Sequence, residues 1–122
     1  MHVHGTTGAR WKNFLELRRL LRALGDEVRL NIVHTLATQG ETKVTDLAEA
    51  LLVSQPLVSW HLAILRRAEL VVTRRNGREV YCSLNRDHYA RCVTLLEGVI
   101  SEPGAPETPT YDARDPSRVA PR

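Results

Sequence analysis

The chain has 122 residues, 43% of them apolar, with two Trp, three Tyr and one Phe. That length bounds it to one domain with a modest aliphatic core. A formal charge of +3 marks no strongly basic protein, two Cys are too few for a disulfide scaffold, and no run of about 18 apolar residues is present to span a membrane. No signal-peptide core precedes the first charged helix, so the reading is a cytoplasmic protein with reduced thiols.

Residues 1–10 read as a flexible N-terminal arm. His2 and His4 lie in it, but two mobile imidazoles lack the three or four fixed ligands that a metal site needs. A first helix follows over about Trp11 to Leu24, where Phe14, Leu17, Leu20, Leu21 and Leu24 share one stripe. Gly25 ends it as a C′ glycine should. Asp26 caps a second helix, about Glu27 to Thr38, which Gln39-Gly40 stops. Arg29 reads as a structural ion-pair partner.

Glu41-Thr42-Lys43 is a loop. Beyond it, two short helices, about Thr45–Leu52 and Gln55–Ala68, flank a tight turn. Ser54 stands at an N-cap and Pro56 in the first turn, where its missing N–H costs nothing. Thr45 reads as the cap of the earlier helix. In the second helix Leu57, Val58, His61, Leu62, Ile64, Leu65 and Ala68 form the apolar arc. Gln55, Pro56, Ser59, Trp60, Ala63, Arg66 and Arg67 form the opposite one. An amide, a hydroxyl, an indole and two guanidiniums suit a DNA major groove, and they also suit plain solvent. His61, on the inner arc, is read as a buried, hydrogen-bonded histidine or a phosphate contact.

Residues 70–84 supply the context. Asn76-Gly77 between two β-prone runs is a hairpin signal, and Arg74, Arg75 and Arg78 crowd its tip. Five Arg stand against Glu69 alone between residues 66 and 78. The positive excess therefore coincides with the proposed DNA surface, as backbone binding requires. Val80, Cys82 and Leu84 alternate with polar residues, so Cys82 reads as a core thiol.

The last helix runs from near Arg86-Asp87 to about Ser101. Tyr89, Cys92, Val93, Leu96, Val99 and Ile100 make a narrow, seam-like stripe that fits a dimer interface together with Phe14, Leu17 and Leu21 of the first helix. His88 and Cys92, at i and i+4, are candidates for a small thiol or metal sensor site completed by a partner subunit, against the plainer reading of a packed Cys beside a rim His. From Glu102 onward five of the six Pro occur without apolar periodicity. Residues 102–122 read as a disordered tail.

The predicted fold is mainly α, an α+β winged helix of about five helices with a two-stranded hairpin wing, in the order α-α-α-α-β-β-α, over residues 11–101. Residues 23–30 (Ala-Leu-Gly-Asp-Glu-Val-Arg-Leu), Asp46-Leu47-Ala48, the run Ser54-Gln55-Pro56-Leu57-Val58-Ser59-Trp60-His61-Leu62, and Gly77-Arg78-Glu79-Val80-Tyr81 resemble the ArsR/SmtB family of bacterial winged-helix repressors. The resemblance covers roughly residues 14–100. It implies a homodimer that binds an operator and releases it when an inducer arrives.

On that footing Gln55, Ser59 and Trp60 are expected nearest the bases of an imperfect palindrome, with Ser54, Pro56 and His61 alongside. Arg66, Arg67, Arg74, Arg75 and Arg78 are expected on phosphates. The best-known members carry Cys-Val-Cys where this chain has Lys43-Val44-Thr45, and Lys and Thr supply no thiolate. Zinc sensors of the family carry Asp-x-His early on the last helix and His-x-x-His or His-x-x-Glu about a dozen residues later, from both subunits. Here Asp87 and His88 are adjacent, and Gly98-Val99-Ile100-Ser101 replaces that pair. No metal and no cofactor are assigned. The alternative function is a winged-helix protein–protein module without DNA binding. No glycine-rich phosphate loop or catalytic constellation points to an enzyme.

Overall fold

Helices of this length are marginal alone in water, so caps and tertiary burial decide where each begins and ends. In the computed structural model, which describes residues 3–101, the order is α1 (Val3–Leu24), α2 (Glu27–Gln39), β1 (Thr42–Lys43), α3 (Val44–Leu51), α4 (Gln55–Arg67), β2 (Val71–Asn76), β3 (Glu79–Leu84) and α5 (Arg86–Ser101). This is the expected mainly helical winged helix. Among the described residues no single helix is long and apolar enough to cross a membrane. The expectations placed on His2, on the His4 side chain and on residues 102–122 lie outside the described residues.

Several boundaries differ from the sequence reading. α1 begins at Val3, so residues 3–10 continue the helix rather than forming an arm. Once Trp11–Leu24 is nucleated, each added residue gains a hydrogen bond without a new nucleation cost. Gly25 is not in the left-handed region; its tight place is against the Leu21 carbonyl, 3.2 Å from where a Cβ would stand. The loop before α3 contains β1, which pairs antiparallel with β3 through Thr42↔Cys82 and Lys43↔Tyr81. The wing is thus a three-stranded sheet, β1-β3-β2. Lys43, not Thr45, holds the N-cap position of α3, and it makes no side-chain cap bond.

Other signals hold. The Asp26 carboxylate accepts from Arg29 N–H at 3.1 Å, and Ser54 Oγ accepts from Leu57 N–H at 3.4 Å. Gly40 closes α2 with φ 79°. α3 and α4 meet at a bend of 110°, inside the range of a helix-turn-helix. Their junction is closed by Leu52, in the left-handed region with φ 56°. Val53 N–H there donates to the Ala48 carbonyl at 3.1 Å, the longer bond of a Schellman turn. α4 ends the same way through Glu69, φ 62°, with Leu70 N–H on the Leu65 carbonyl at 3.0 Å.

The core is aliphatic, as the composition requires. Ile32 and Leu36 of α2, Leu47 of α3, Val58 and Leu65 of α4, and Leu70 are sealed from solvent. Cys82 joins them at 0% exposure, its thiol turned to the Thr42 carbonyl at 3.3 Å. Burial pushes that thiol up to about 11, so it stays protonated and behaves as a small hydrophobe.

Candidate nucleic-acid interface

The outward arc of α4 divides in two. At 100° per residue Gln55, Ser59, Ala63 and Arg66 follow one line along the helix, while Pro56, Trp60 and Arg67 lie roughly 100° further round. Only the first line faces the wing. A groove runs between α4 and the sheet, lined by Gln55, Ser59 and Arg66 on one wall and by Thr73, Arg78 and Glu79 on the other. Arg66 Nη1 donates to Thr73 Oγ1 across it at 3.3 Å. Trp60 stands on the outer flank, 56% exposed, with its ring edge-on to His61 at a centroid distance of 4.9 Å.

The wing turn sits one residue later than expected. Asn76 pairs with Glu79, so the two central residues are Gly77 and Arg78. Gly77 has φ 66°, and neither Asn76 nor Arg78 has a positive φ. A positive φ at the first central residue alone is the pattern of a type II′ turn. The Arg78 side chain therefore leaves from the extreme tip.

The wing arginines are not equivalent. Arg74 Nε and Nη2 donate to the two Glu41 carboxylate oxygens at 2.7 and 2.8 Å, and its guanidinium lies 4.5 Å from the Tyr81 ring centroid. Its hydrogen bonds and the guanidinium beside it hold the Glu41 carboxyl below its ordinary range. Arg74 is thus held in a local pair, as Arg75 and Arg78 are not. Arg75 faces Val80 across the ladder, on the Thr73 side of the sheet. Arg75 and Arg78 are exposed and form no ion pair among the described residues. Arg67, also exposed, donates from Nε to the Ala63 carbonyl at 3.4 Å.

Of the two places read for His61, it takes the buried, hydrogen-bonded one. Only 5% exposed, it cannot reach a phosphate from this position. Arg29 Nη1 lies 3.0 Å from His61 Nδ1. A guanidinium only donates, so Nδ1 accepts and the ring proton sits on Nε2. Arg29 Nε donates to the Ala23 carbonyl at 2.6 Å and Nη2 to the Arg22 carbonyl at 3.4 Å. The structural role read for Arg29 stands, but its partners are the end of α1 and an imidazole rather than a carboxylate.

The expected dimer stripe splits as well. Leu17 is 4% exposed and Cys92 0%, so both belong to the interior of the subunit. The reason is angular: Cys92 lies turned toward α1, while Tyr89, Leu96 and Ile100 are rotated outward by roughly 40–80° at 100° per residue. Tyr89, Leu96, Val99 and Ile100 of α5 and Leu21 of α1 remain exposed, with Phe14 and Val93 half-buried. Trp11 and Leu15, exposed on α1, extend this apolar surface beyond the stripe. Arg91 ties the two helices together, donating to both Glu16 carboxylate oxygens at 3.1 and 3.2 Å.

Residues 26–73 match the family described as bacterial regulatory protein, arsR family. The arsenic resistance transcriptional regulator ArsR1 of Pseudomonas putida is 33% identical over 100 residues, 82% of this chain and 78% of that protein. The biofilm growth-associated repressor of Agrobacterium fabrum is 36% identical over 92 residues, 75% of this chain and 78% of the relative. Among solved structures, the homodimeric winged helix-turn-helix DNA-binding domain from Mycobacterium bovis superposes with a TM-score of 0.60 at 31% identity, covering 70% of this chain and 79% of the other.

Proposed function

Because this chain belongs to the arsR family of bacterial regulatory proteins, and is a transcriptional repressor of that family with a winged-helix DNA-binding domain, we propose how its own residues carry the task. The observation that supports the reading is the groove between α4 and the wing, where Gln55, Ser59, Arg66 and Arg78 converge. α4 enters a major groove along that line. Gln55 and Ser59 meet base edges, Arg66, Arg75 and Arg78 hold phosphates, and Trp60 and Arg67 touch the flanking backbone or a thymine methyl. Ser54 and Pro56 set the helix N-terminus against the same strand.

The exposed apolar surface on α1 and α5 is the dimer seam. Two copies joined there present two α4 helices to successive major grooves of an imperfect palindrome, about 34 Å apart. An inducer shifts the dimer to a form that releases DNA. Lys43 and Thr45 bring no thiolates to the start of α3, so that signal does not enter through a thiolate pair there, and α5 lacks the usual zinc pattern of the family. A duplex bearing the chain's own promoter, titrated by fluorescence anisotropy, tests the reading. Saturable binding with competition only by duplexes that keep both half-sites is expected. No affinity above that for random duplex leaves the protein–protein module in its place.

A further inference from the structure

We propose that Glu16, His88 and Cys92 form a site for a borderline-soft divalent metal ion of the zinc type, built within one subunit between α1 and α5. One ligand atom from each residue lies within 4.8 Å of the other two. Cys92 Sγ is 3.4 Å from His88 Nε2, and His88 Nδ1 is 3.7 Å from Glu16 Oε2. His88 and Cys92 stand at i and i+4, the spacing that turns two helical side chains to one point. Glu16 comes from the neighbouring helix and supplies the fixed third donor that sequence spacing alone does not reveal.

The donor set fits one class of ion. A thiolate, an imidazole and a carboxylate suit zinc, whose sulfur and nitrogen ligands lie about 2.3 and 2.0 Å away. In a tetrahedron those lengths put sulfur and nitrogen about 3.5 Å apart. Cys92 Sγ and His88 Nε2 already stand at about that separation, while the Glu16 carboxylate, beside His88 Nδ1, has to turn to the Nε2 side. The Cys92 side is sealed, whereas the His88 and Glu16 side chains are 10% and 24% exposed. An ion therefore enters from the Glu16 side, and a fourth ligand reaches it from there.

The charges set the chemistry of entry. Hydrogen bonds from Arg91 hold the Glu16 carboxyl below its ordinary range, so it is anionic at neutral pH. Burial raises the Cys92 thiol, so the ion replaces the sulfur's proton, which leaves to solvent. Arg91, held on both Glu16 oxygens, gives up at least one of them when that oxygen turns to the metal. The site is distinct from the start of α3, and it does not rest on the DNA-binding reading.

The test is a cobalt(II) titration of the chelator-stripped full chain under reducing conditions. A thiolate-to-cobalt charge-transfer band and the visible bands of a four-coordinate ion are expected, with stoichiometric release of one thiol proton and displacement by zinc. Cys92→Ser removes the charge-transfer band. Glu16→Gln, nearer the surface and isosteric, keeps the band but weakens cobalt binding about tenfold or more. Cys82→Ser and a His2→Ala/His4→Ala double variant leave spectrum and affinity unchanged. An octahedral spectrum without a thiolate band, a band that survives Cys92→Ser, a Glu16→Gln titration identical to the parent, or loss of the band with the two N-terminal histidines would each overturn the site.

Discussion

Replacing Arg75 and Arg78 together by Ala tests the wing most sharply, because the structure separates them from Arg74. Both are exposed and free of ion pairs among the described residues, while Arg74 is bound by Glu41 through two short bonds. Each phosphate neutralised on duplex DNA contributes about 0.9 to the slope of log K against log salt. Two arginines on each of two wings therefore account for roughly 3.6 of that slope. Between about 50 and 200 mM salt, the parent should lose roughly 150-fold more affinity than the double variant. The Arg74→Ala variant should keep nearly the parental slope, since its charge is already balanced. Fluorescence anisotropy across a salt series reads both slopes. A double variant with the parental slope, or an Arg74→Ala variant that flattens it equally, would refute the assignment of the tip to phosphates.

Gln55→Ala should relax discrimination at one base pair per half-site by about 1–3 kcal/mol while leaving the salt slope intact, read from a panel of single-base operator variants. Arg29→Met should cost roughly 1–3 kcal/mol, because it strips donors from His61 Nδ1 and from two carbonyls; thermal unfolding measures it. Leu96→Asp should turn a dimer into monomers in sedimentation velocity with the far-UV spectrum unchanged, since Leu96 is 40% exposed on the subunit and buries nothing essential to its core. The Asp26 carboxyl is lowered from 3.8, first by the Arg29 N–H bond, then by the charge of the Arg29 guanidinium. Its contribution to stability is present above pH 3.8 and is lost as pH falls through the lower folded value. Asp26→Asn keeps a cap but removes that titration, so its midpoint should vary less with acid than the parent's; an unchanged acid limb would contradict the capping role.

Much of this was written in the apolar spacing. The stripes of α2 and α4, the caps at Asp26 and Ser54, and the place of the helix-turn-helix follow from period 3.6 and from side chains that accept backbone hydrogen bonds. What periodicity does not carry was missed. β1 has two residues, too few to show alternation, and exists because β3 offers it a ladder. Leu52 and Glu69 adopt the left-handed turn without glycine, because the residues on either side, Leu51 and Val53, Ala68 and Leu70, pack on the core and fix the helix ends. Asn76-Gly77 marked the hairpin correctly, yet the turn slid by one so that Asn76 completes the strand pairing. Pairs remote in sequence, such as Arg74 with Glu41 and Arg91 with Glu16, leave no local trace at all. They decide which arginines remain free, and so the candidate interface was legible in its residues but not in their division of labour.

Arg29 shows why that division matters for the molecule as a unit. Its guanidinium hydrogen-bonds the last carbonyls of α1 and the imidazole of α4. A cation at a helix C-terminus also meets the negative end of the helix dipole. Turning α4 about its axis would withdraw His61 and leave a buried ring nitrogen without a donor, a cost of about 1–3 kcal/mol. The outward line of Gln55 and Ser59 is thereby keyed in rotation to α1, which carries part of the exposed apolar surface. In a dimer joined on that surface, the angle and separation of the two α4 helices follow from this contact. The buried imidazole of His61 thereby fixes where the residues on the opposite face of α4 point.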